Sequence, residues 1–252
     1  MRSTEWNPPR SVIGRGLSLL RCFKPADTEL SLAELSLRSR LPKPTVHRLL
    51  GELESWGAIE RTGRGFRLGL WLFEVGQLVP RQRGIQEAAM PLLGDLHQAT
   101  HETVHLAVPD GIEVVYLVKM DAQNGPAIPS RVGGRMPLYC TGVGKAVLAE
   151  SAPDVMQAVL ERGLTRRTPY TQIMPGLLGK ELATIRETGV AYEREESALG
   201  LACAASAIVN ASGHPIAAIS ITGWINRFDT TRFGPAVRTA ALAISRQLSA
   251  GG

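Results

Sequence analysis

The 252-residue chain has few of the features that would restrict its class at once. No run approaches the ~20 apolar residues that a membrane-spanning helix needs, and the N-terminus lacks the apolar segment of a secretory signal. The three cysteines, Cys22, Cys140 and Cys203, are far apart in the sequence and show no metal-ligand spacing. An odd and dispersed set of this kind is typical of free thiols in a reducing compartment. We therefore expect a cytoplasmic protein with no metal site, no cofactor and no membrane partner.

Catalytic motifs are also scarce, so the sequence favours a non-enzyme. The segment TGVGKA resembles a phosphate-binding loop, but Tyr139 stands where the first glycine is needed and Ala146 replaces the required Ser or Thr. An enzyme with Cys203 as its nucleophile is the alternative, and it would need a histidine partner. The candidates are His97, His101, His105 and His214, none of them in a recognisable catalytic motif. The first three fall near a helix end and a strand start, where surface roles are common.

Residues 31–70 carry the strongest pattern in the chain, and they predict a winged helix-turn-helix. Ser31 and Glu34 have the spacing of a capping box, so a first helix is expected to begin there, with Leu32, Leu35 and Leu41 as its apolar side. The turn falls at Leu41-Pro42. A second helix should bury one stripe made of Val46, Leu49, Leu50, Leu53 and Trp56, and Gly57 should end it. A hairpin then pairs residues 59–60 with 66–68.

The polar side of the second helix is the predicted surface for the major groove of DNA. Its candidate contacts are Lys43, Thr45, His47 and Arg48. Three arginines, Arg61, Arg64 and Arg67, place cations on the hairpin, which is the right size for contacts to phosphates or a minor groove. A solvated helical hairpin would explain the leucines but not an arginine-rich ribbon that follows at once. Double-stranded operator DNA is therefore the expected partner.

The distribution of charge supports a partner that is a polyanion. Residues 1–84 contain 14 basic and 8 acidic side chains, whereas the rest of the chain contains 14 basic and 15 acidic ones. The net charge of +5 thus originates in the first third of the chain. A basic head on a nearly neutral body is the pattern expected of a nucleic-acid-binding domain attached to a second domain.

The order of predicted elements indicates an α+β protein with two domains. Residues 1–11 are interpreted as a flexible arm, 12–70 as the DNA-binding domain, 71–90 as a linker helix interrupted by Pro80 and Gly84, and 91–252 as the second domain. In the second domain, strand pairs joined at Asp110-Gly111 and across residues 210–215 alternate with helices. A new helix is expected to begin at Pro91, and the last helix to run from Thr230 to about Leu248. Hairpins with helices around them predict an antiparallel sheet.

Several segments resemble the IclR-type bacterial transcriptional regulators, and the resemblance covers nearly the whole chain. The DNA-binding domain is similar over LAELSLRSRLPKPTVHRLLGELESWGAIER and the following FRLG. The second domain is similar over GGRMPLYCTGVGKAVLA, GVAYEREESALGLACAASAIVNASG and AAISITG. The resemblance implies a GAF-like effector domain, assembly into dimers and often tetramers, and transcription controlled by a small molecule. In this family the effectors are small organic acids, often aromatic catabolites.

The resemblance also implies which residues meet the effector. Carried over, they are Gly142, Val143, Glu193, Cys203, Ser220 and Thr222. Free amides at a helix start suit a carboxylate, and the two hydroxyl groups can donate to it as well. The chain departs from the family pattern in two places, since Glu193 replaces a shorter Asp or Ser and Ala204 replaces a larger aliphatic residue.

Each of these residues also has a structural interpretation. Cys203 lies in an apolar strand, where a cysteine is commonly a small core residue. Ser220 and Thr222 alternate with isoleucines, which is equally the pattern of a sheet face turned to solvent. Glu193 belongs to a run of glutamates typical of a solvated turn. A DNA-binding protein without a ligand is a further alternative, although it leaves the large second domain unexplained. We predict a homo-oligomeric transcriptional regulator that responds to a small acid.

Overall fold

The computed structural model describes residues 9–250, apart from the side chains of residues 80–83. The chain forms two compact units, Met1–Pro80 and Arg81–Gly252. The predicted N-terminal arm falls almost entirely outside the described residues. The division at residue 80 lies inside the predicted linker, so the domain bounds at 12–70 and 91–252 stay predictions. No helix within the described residues is both long and apolar enough to cross a membrane.

The first unit has the element order of a winged helix-turn-helix. Its elements are α1 (Val12–Leu20), α2 (Leu32–Ser39), α3 (Lys43–Ser55), β1 (Ile59–Arg61), β2 (Phe66–Leu68) and α4 (Trp71–Gln77). The capping box predicted at α2 is confirmed: the Ser31 hydroxyl accepts from the Glu34 amide at 3.2 Å, and the Glu34 carboxylate accepts from the Ser31 amide at 2.8 Å. Strands β1 and β2 pair antiparallel with Ile59 opposite Leu68.

The core of this unit is smaller than the sequence pattern predicts. Val46, Leu49 and Leu50 of α3 are buried together with Leu19, Leu35 and Ile59. Trp56, predicted to complete the buried stripe of α3, is 68 % exposed, and its ring lies 6.4 Å from that of Trp71. The prediction for Trp56 is wrong because it caps the last turn of α3, beyond the part of the helix that α1 and α2 cover.

Helix α3 and the hairpin are joined through two glycines. Gly57 follows α3 with φ +69°, a left-handed conformation that favours glycine, and the amide of Gly69 donates to the carbonyl oxygen of Ala58 at 2.9 Å. A Cβ atom on Gly69 would overlap the carbonyl oxygen of Gly57. The end of the hairpin therefore lies directly against the chain that leaves the helix.

The second unit contains one six-stranded antiparallel sheet with the strand order β5-β4-β3-β8-β7-β6. Its strands are β3 (Thr103–Asp110), β4 (Glu113–Met120), β5 (Arg135–Pro137), β6 (Ala191–Arg194), β7 (Leu201–Val209) and β8 (Pro215–Trp224), and its helices are α5 (Pro80–Thr100), α6 (Gly142–Glu150), α7 (Pro153–Arg162), α8 (Pro175–Thr188) and α9 (Thr230–Ala250). The α+β class with an antiparallel sheet is confirmed. The short strand β5 forms one edge of the sheet and pairs with β4.

Helix α5 differs from the prediction, because it passes through Pro91 without a break. A proline inside a helix removes one hydrogen bond and crowds the preceding turn, which makes it unfavourable there. The helix nevertheless continues because Ala88, Ala89, Leu93 and Leu96 on both sides of Pro91 are buried in one core cluster. Burial of this continuous apolar stripe outweighs the cost of the proline.

The two faces of the sheet have different surroundings. One face packs with α5 and α9, and it contributes Val104, Leu106, Ala204, Ile219 and Ile221 to their core. Alternate residues on the same strands point to the opposite side, where Ala205 and Ala218 pack with residues of α6 and α8. His105 of β3, Cys203 of β7, and Ser220 and Thr222 of β8 lie on this second face, which positions the cavity described below.

Candidate functional sites

Helix α3 presents one polar face that is accessible to a partner. Lys43, His47 and Arg48 are exposed and Thr45 is half-buried, while Val46 on the opposite side is fully buried. Within the described residues, no hydrogen bond or ion pair holds the side chains of these four polar residues. The predicted recognition face is therefore free in this unit, and its lysine and arginine are available to a polyanion.

The three hairpin arginines differ in their surroundings. Arg61 pairs with Glu54 at 3.0 Å and lies over the Phe66 ring, and Arg67 pairs with Glu60 at 2.6 Å. The hairpin also carries an acidic side chain, because Glu60 and Arg67 face each other in the strand register. Arg64 is exposed and has no ion pair among the described residues. Exposed pairs contribute little stability, so all three cations can still turn toward phosphates.

The second unit contains a cavity whose wall includes all six residues predicted to meet an effector. Elements α6, β6, β7 and β8 supply them, namely Gly142, Val143, Glu193, Cys203, Ser220 and Thr222. The walls leave room for little more than water. A larger molecule would fit only after movement of the wall, whose apolar part includes Ile128, Pro129 and Met136.

Strand register explains why residues distant in sequence meet here. Glu193 pairs with Cys203, and Cys203 pairs with Thr222, so three strands place these side chains in one row. Ser220 lies opposite His105 in the neighbouring row. Ser220 and Thr222 are only 2 % and 5 % exposed, so the alternating polar positions of β8 do not face solvent. They face the cavity instead.

The start of α6 closes one end of the cavity. The hydroxyl of Thr141 accepts a hydrogen bond from the amide of Gly144 at 3.1 Å. The amides of Gly142 and Val143 have no acceptor among the described residues. A Cβ atom on Gly142 would fall 2.5 Å from the Cys203 sulfur, so the backbone approaches β7 closely at this point. The result is a pair of free amide donors at a helix start beside a small side chain.

Glu193 provides an acidic group on the same wall. Its Oε1 accepts from the amides of Glu196 at 2.5 Å and Ser197 at 3.0 Å, and the residue is 2 % exposed. Burial raises the pKa of Glu193 to about 7, against the opposing effect of these amide hydrogen bonds. Near neutral pH the carboxyl therefore exists in both protonation states, and its other oxygen is available to the cavity. It can donate or accept a hydrogen bond.

His105 and Tyr116 are among the cavity residues that were not predicted from the sequence. His105 is buried between Ser130, 2.8 Å from its Nε2, and Ser220, 3.3 Å from its Nδ1. The expectation of a surface role for this histidine is wrong. Burial lowers the pKa of His105 to about 3, so the ring is neutral. The Tyr116 hydroxyl is also part of the cavity wall and has no hydrogen-bond partner among the described residues. Only the alternation along β3 and β4 could have indicated these positions.

A buried ionic cluster lies next to the cavity. Lys145 of α6 is fully buried and bonds to Glu181 of α8 and to Glu196. Although burial disfavours the ammonium ion, Glu196 and Glu181 raise the pKa of Lys145, which stays charged. The interpretation of residues 193–196 as a solvated turn is therefore wrong for Glu193 and Glu196. The sequence contains no signal for this cluster, because its members are far apart along the chain.

The environment of Cys203 disfavours a nucleophilic role. Burial raises the pKa of its thiol to about 12, whereas a cysteine nucleophile reacts as the thiolate. The nearby imidazole of His105 has its hydrogen bonds with Ser130 and Ser220. Cys203 contributes a small, weakly polar surface to the cavity, which is consistent with a regulator rather than an enzyme.

A winged helix-turn-helix followed by an antiparallel α+β unit with a buried polar cavity defines a class: transcriptional regulators with a ligand domain. Comparison with known proteins identifies the family. Residues 12–63 match the IclR helix-turn-helix domain, and residues 77–246 match the bacterial transcriptional regulator IclR C-terminal domain. The chain therefore belongs to the IclR family of bacterial transcriptional regulators, with an N-terminal DNA-binding domain and a C-terminal effector-binding domain.

Characterised relatives are similar over nearly their full length. The transcriptional repressor IclR of Escherichia coli K12 is 32 % identical over 92 % of this chain and 87 % of its own length. The repressor AllR of the same strain is 34 % identical over 94 % of this chain and 90 % of its own length. A solved IclR homologue from Microbacterium hydrocarbonoxydans, complexed with 4-hydroxybenzoate, superposes with a TM-score of 0.89 at 27 % identity, covering 95 % of this chain and all of that one.

Proposed function

We propose that this regulator binds a small hydroxylated acid, most simply a monocyclic hydroxybenzoate, in the cavity of its second unit, and that the acid controls operator binding. The observation that carries the proposal is the presence, in one cavity, of free amides at the start of α6 and of the Glu193 carboxyl. The amides suit an anion, and the carboxyl suits a hydroxyl group. A ligand with both groups satisfies both ends.

The carboxylate of the ligand is assigned to the start of α6. The amides of Gly142 and Val143 carry the partial positive charge of a helix N-terminus, which favours an anion. The hydroxyl groups of Ser220 and Thr222 line the same cavity and can donate to the second carboxylate oxygen. Because the site is buried, these hydrogen bonds act in surroundings of low dielectric constant, where they are stronger than in water.

The hydroxyl group of the ligand is assigned to Glu193 and Tyr116. A second anion beside a carboxylate would be repulsive, but the pKa of Glu193 near 7 allows this carboxyl to hold its proton. The Tyr116 hydroxyl lacks a protein partner among the described residues and can bond to the same ligand group. The 4-hydroxybenzoate in the related Microbacterium protein has this combination of groups, which supports the proposal.

Binding experiments with three related probes test the ligand assignment. We expect 4-hydroxybenzoate to stabilise the protein more than benzoate, which lacks the hydroxyl, or 4-hydroxybenzamide, which lacks the charge. At a hundredfold excess over Kd the gain in stability is ~2.7 kcal/mol. Ser220→Ala and Cys203→Trp should abolish the gain, and the exposed substitution Ser212→Ala should leave it unchanged. Equal stabilisation of wild type and both cavity variants would show that the acid binds elsewhere.

The recognition face is assigned to Lys43, Thr45, His47 and Arg48, with phosphate or minor-groove contacts from Arg61, Arg64 and Arg67. Six of these seven residues are exposed and Thr45 is half-buried, which supports this assignment. Fluorescence anisotropy with DNA upstream of the regulator's own gene measures binding. Adding the acid should change the measured affinity, while the Cys203→Trp variant should bind the DNA without responding to the acid.

Self-association is proposed through the first unit. Leu70, Phe73 and Leu78 in and around α4 are 65 %, 61 % and 74 % exposed, and Trp56 lies nearby with Trp71. Such a concentration of exposed apolar side chains marks an interaction surface. Two recognition helices that dock on one face of DNA lie roughly 34–36 Å apart, so a dimer suits the function. Light scattering of the full chain should show a lower mass for Phe73→Asp than for wild type or the exposed control Gln77→Asp.

A further inference from the structure

Lys145 is a fully buried charged side chain that is not part of the wall of the proposed effector cavity. It lies on α6, three residues after Gly142. The ammonium group of a lysine has three N–H donors. Here each donor has an acceptor: Glu181 Oε1 at 2.5 Å, the carbonyl oxygen of Tyr192 at 2.9 Å, and Glu196 Oε1. Lys145 is therefore fixed in one position rather than free to change partners.

Two of the three acceptors flank Glu193 in the sequence. Tyr192 precedes Glu193 directly, and Glu196, which accepts from Lys145 with its side chain, donates its own amide to Glu193 Oε1. Lys145 thus holds the chain on both sides of the cavity carboxyl. Since Lys145 itself belongs to the helix whose first amides face the cavity, it connects the two ends of the cavity.

The loop between β6 and β7, residues 195–200, also has hydrogen bonds to a segment other than α6. Thr168 and Thr171 donate to the carbonyl oxygens of Glu195 at 2.5 Å and Glu196 at 2.7 Å. These threonines belong to the segment between α7 and α8. They restrain the loop but do not connect it to α6. Loss of Lys145 should therefore loosen the α6 side of the loop and leave the other side attached.

We infer that Lys145 is a positioning residue, which sets the distance between the free amides of α6 and the carboxyl of Glu193 and so selects ligands with an acid and a hydroxyl group at a matching separation. The consequence for ligands rests on the proposed function, because only a ligand that contacts both ends senses this distance. The consequence for the loop does not, because it concerns the protein alone.

The test needs a variant that removes the connection and still folds. Lys145→Met alone leaves Glu196 buried without its cation, which is strongly destabilising. The double variant Lys145→Met with Glu196→Met removes both charges and fills their volume with flexible apolar side chains, a replacement that buried ion pairs tolerate. Glu181→Gln is the matched control, because it removes one charge from the same lysine without touching the loop.

Amide hydrogen exchange of the full-length protein without ligand gives the first result. The amides of Glu196 and Ser197, which donate to Glu193, should exchange about tenfold faster or more in the double variant, because the loop opens locally. The amides of β8 should keep their wild-type rates, and Glu181→Gln should leave both sets unchanged. Unchanged exchange at Glu196 and Ser197 in the double variant would overturn the inference.

Ligand discrimination gives the second result. In the double variant, the preference for 4-hydroxybenzoate over benzoate should fall toward equality, while benzoate keeps its wild-type Kd. An equal loss of affinity for both acids would indicate general damage to the cavity and would overturn the positioning role. If wild type binds neither acid, the proposed ligand class fails, and the exchange experiment still decides the role of Lys145.

Discussion

Ion pairs on the hairpin of the first unit and the Lys145 cluster of the second unit lie in opposite surroundings. In the first unit, Arg61 and Arg67 meet glutamates at the surface, with 50 % and 59 % of their side chains exposed. In the second unit, Lys145 is fully buried with Glu181 and Glu196. An exposed pair is separated at little cost, whereas a buried charge that loses its partner is strongly destabilising. The charges of the hairpin thus stay available to an external polyanion, whereas the buried charges around Lys145 hold the local geometry.

Removing one cation from each unit should give the largest difference in stability between the buried and the exposed kind of ion pair. Lys145→Met should lower the free energy of unfolding by ~3–5 kcal/mol, because it leaves Glu196 buried without a partner. Arg61→Met in the first unit should lower it by ~1 kcal/mol or less. Urea unfolding of both variants measures the difference. Similar losses for the two substitutions would mean that burial does not distinguish the two kinds of pair.

The protonation of Glu193 should make the second unit sensitive to pH. Because its pKa is about 7 in the folded chain and near 4.5 when unfolded, the folded state binds the proton more tightly. This contribution to stability is fully present below pH 4.5 and is lost as the pH rises toward 7, a difference of about 3 kcal/mol.

Glu193→Gln should remove this dependence, because the amide keeps an acceptor for the Glu196 and Ser197 amides without ionising. The variant should be more stable than wild type at pH 8 and similar to it at pH 4.5. Thermal unfolding across this range measures the effect, with the exposed substitution Glu187→Gln as the control. Parallel pH profiles for wild type and Glu193→Gln would contradict a buried, titrating Glu193.

Substitution of two arginines of the first unit should distinguish a contact to a DNA base from a contact to the phosphate backbone. Arg48→Ala should cost ~1–3 kcal/mol and relax the sequence preference at one position, as expected for a contact to a base. Arg64→Ala should weaken binding to all sequences evenly and reduce the salt dependence. Arg162→Ala on α7 of the second unit is the matched control, since it removes an exposed cation outside the proposed recognition surface. Binding isotherms at several salt concentrations separate these outcomes. Unchanged affinity of both Arg48→Ala and Arg64→Ala would show that the recognition face lies elsewhere.

The smallest expected effect concerns the capping box at the start of α2. Ser31→Ala should cost ~1 kcal/mol, because it removes the side-chain acceptor for the Glu34 amide. Ser55→Ala near the end of α3 removes an exposed bond to a helix carbonyl and should change stability by less. Thermal unfolding measures both. A larger loss for Ser55→Ala than for Ser31→Ala would contradict the importance of the cap.

Local patterns predicted the elements that depend on neighbouring residues. The capping box, the turn at Gly111 and most of the apolar stripe of α3 are readable within a few residues. Pro91 was misinterpreted because its local preference opposes the helix, and only the distant core that buries α5 decides the outcome. Trp56 was misplaced because periodicity gives the direction of a side chain but not the extent of the surface that covers it.

The candidate cavity was predicted only where the family motifs pass through it. His105 and Tyr116 come from strands without a distinctive motif, and strand register alone brings His105 opposite Ser220. Lys145 lies within the family motif GGRMPLYCTGVGKAVLA, but its partners Glu181 and Glu196 lie 36 and 51 residues further along the chain. Contacts of this length leave no periodic signal, so they become visible only once the sheet and helices are assembled.

The close approach of Gly57 and Gly69 joins α3 and its hairpin without space for a side chain between their backbones. Because a side chain at residue 69 has no room beside the carbonyl oxygen of Gly57, we expect Gly69→Ala to displace the hairpin from the end of the helix. We expect α3 and the hairpin to move together in any conformational change that alters DNA binding. The DNA sequence that is recognised can then change through the side chains of α3 and the hairpin, while the backbone of both stays the same.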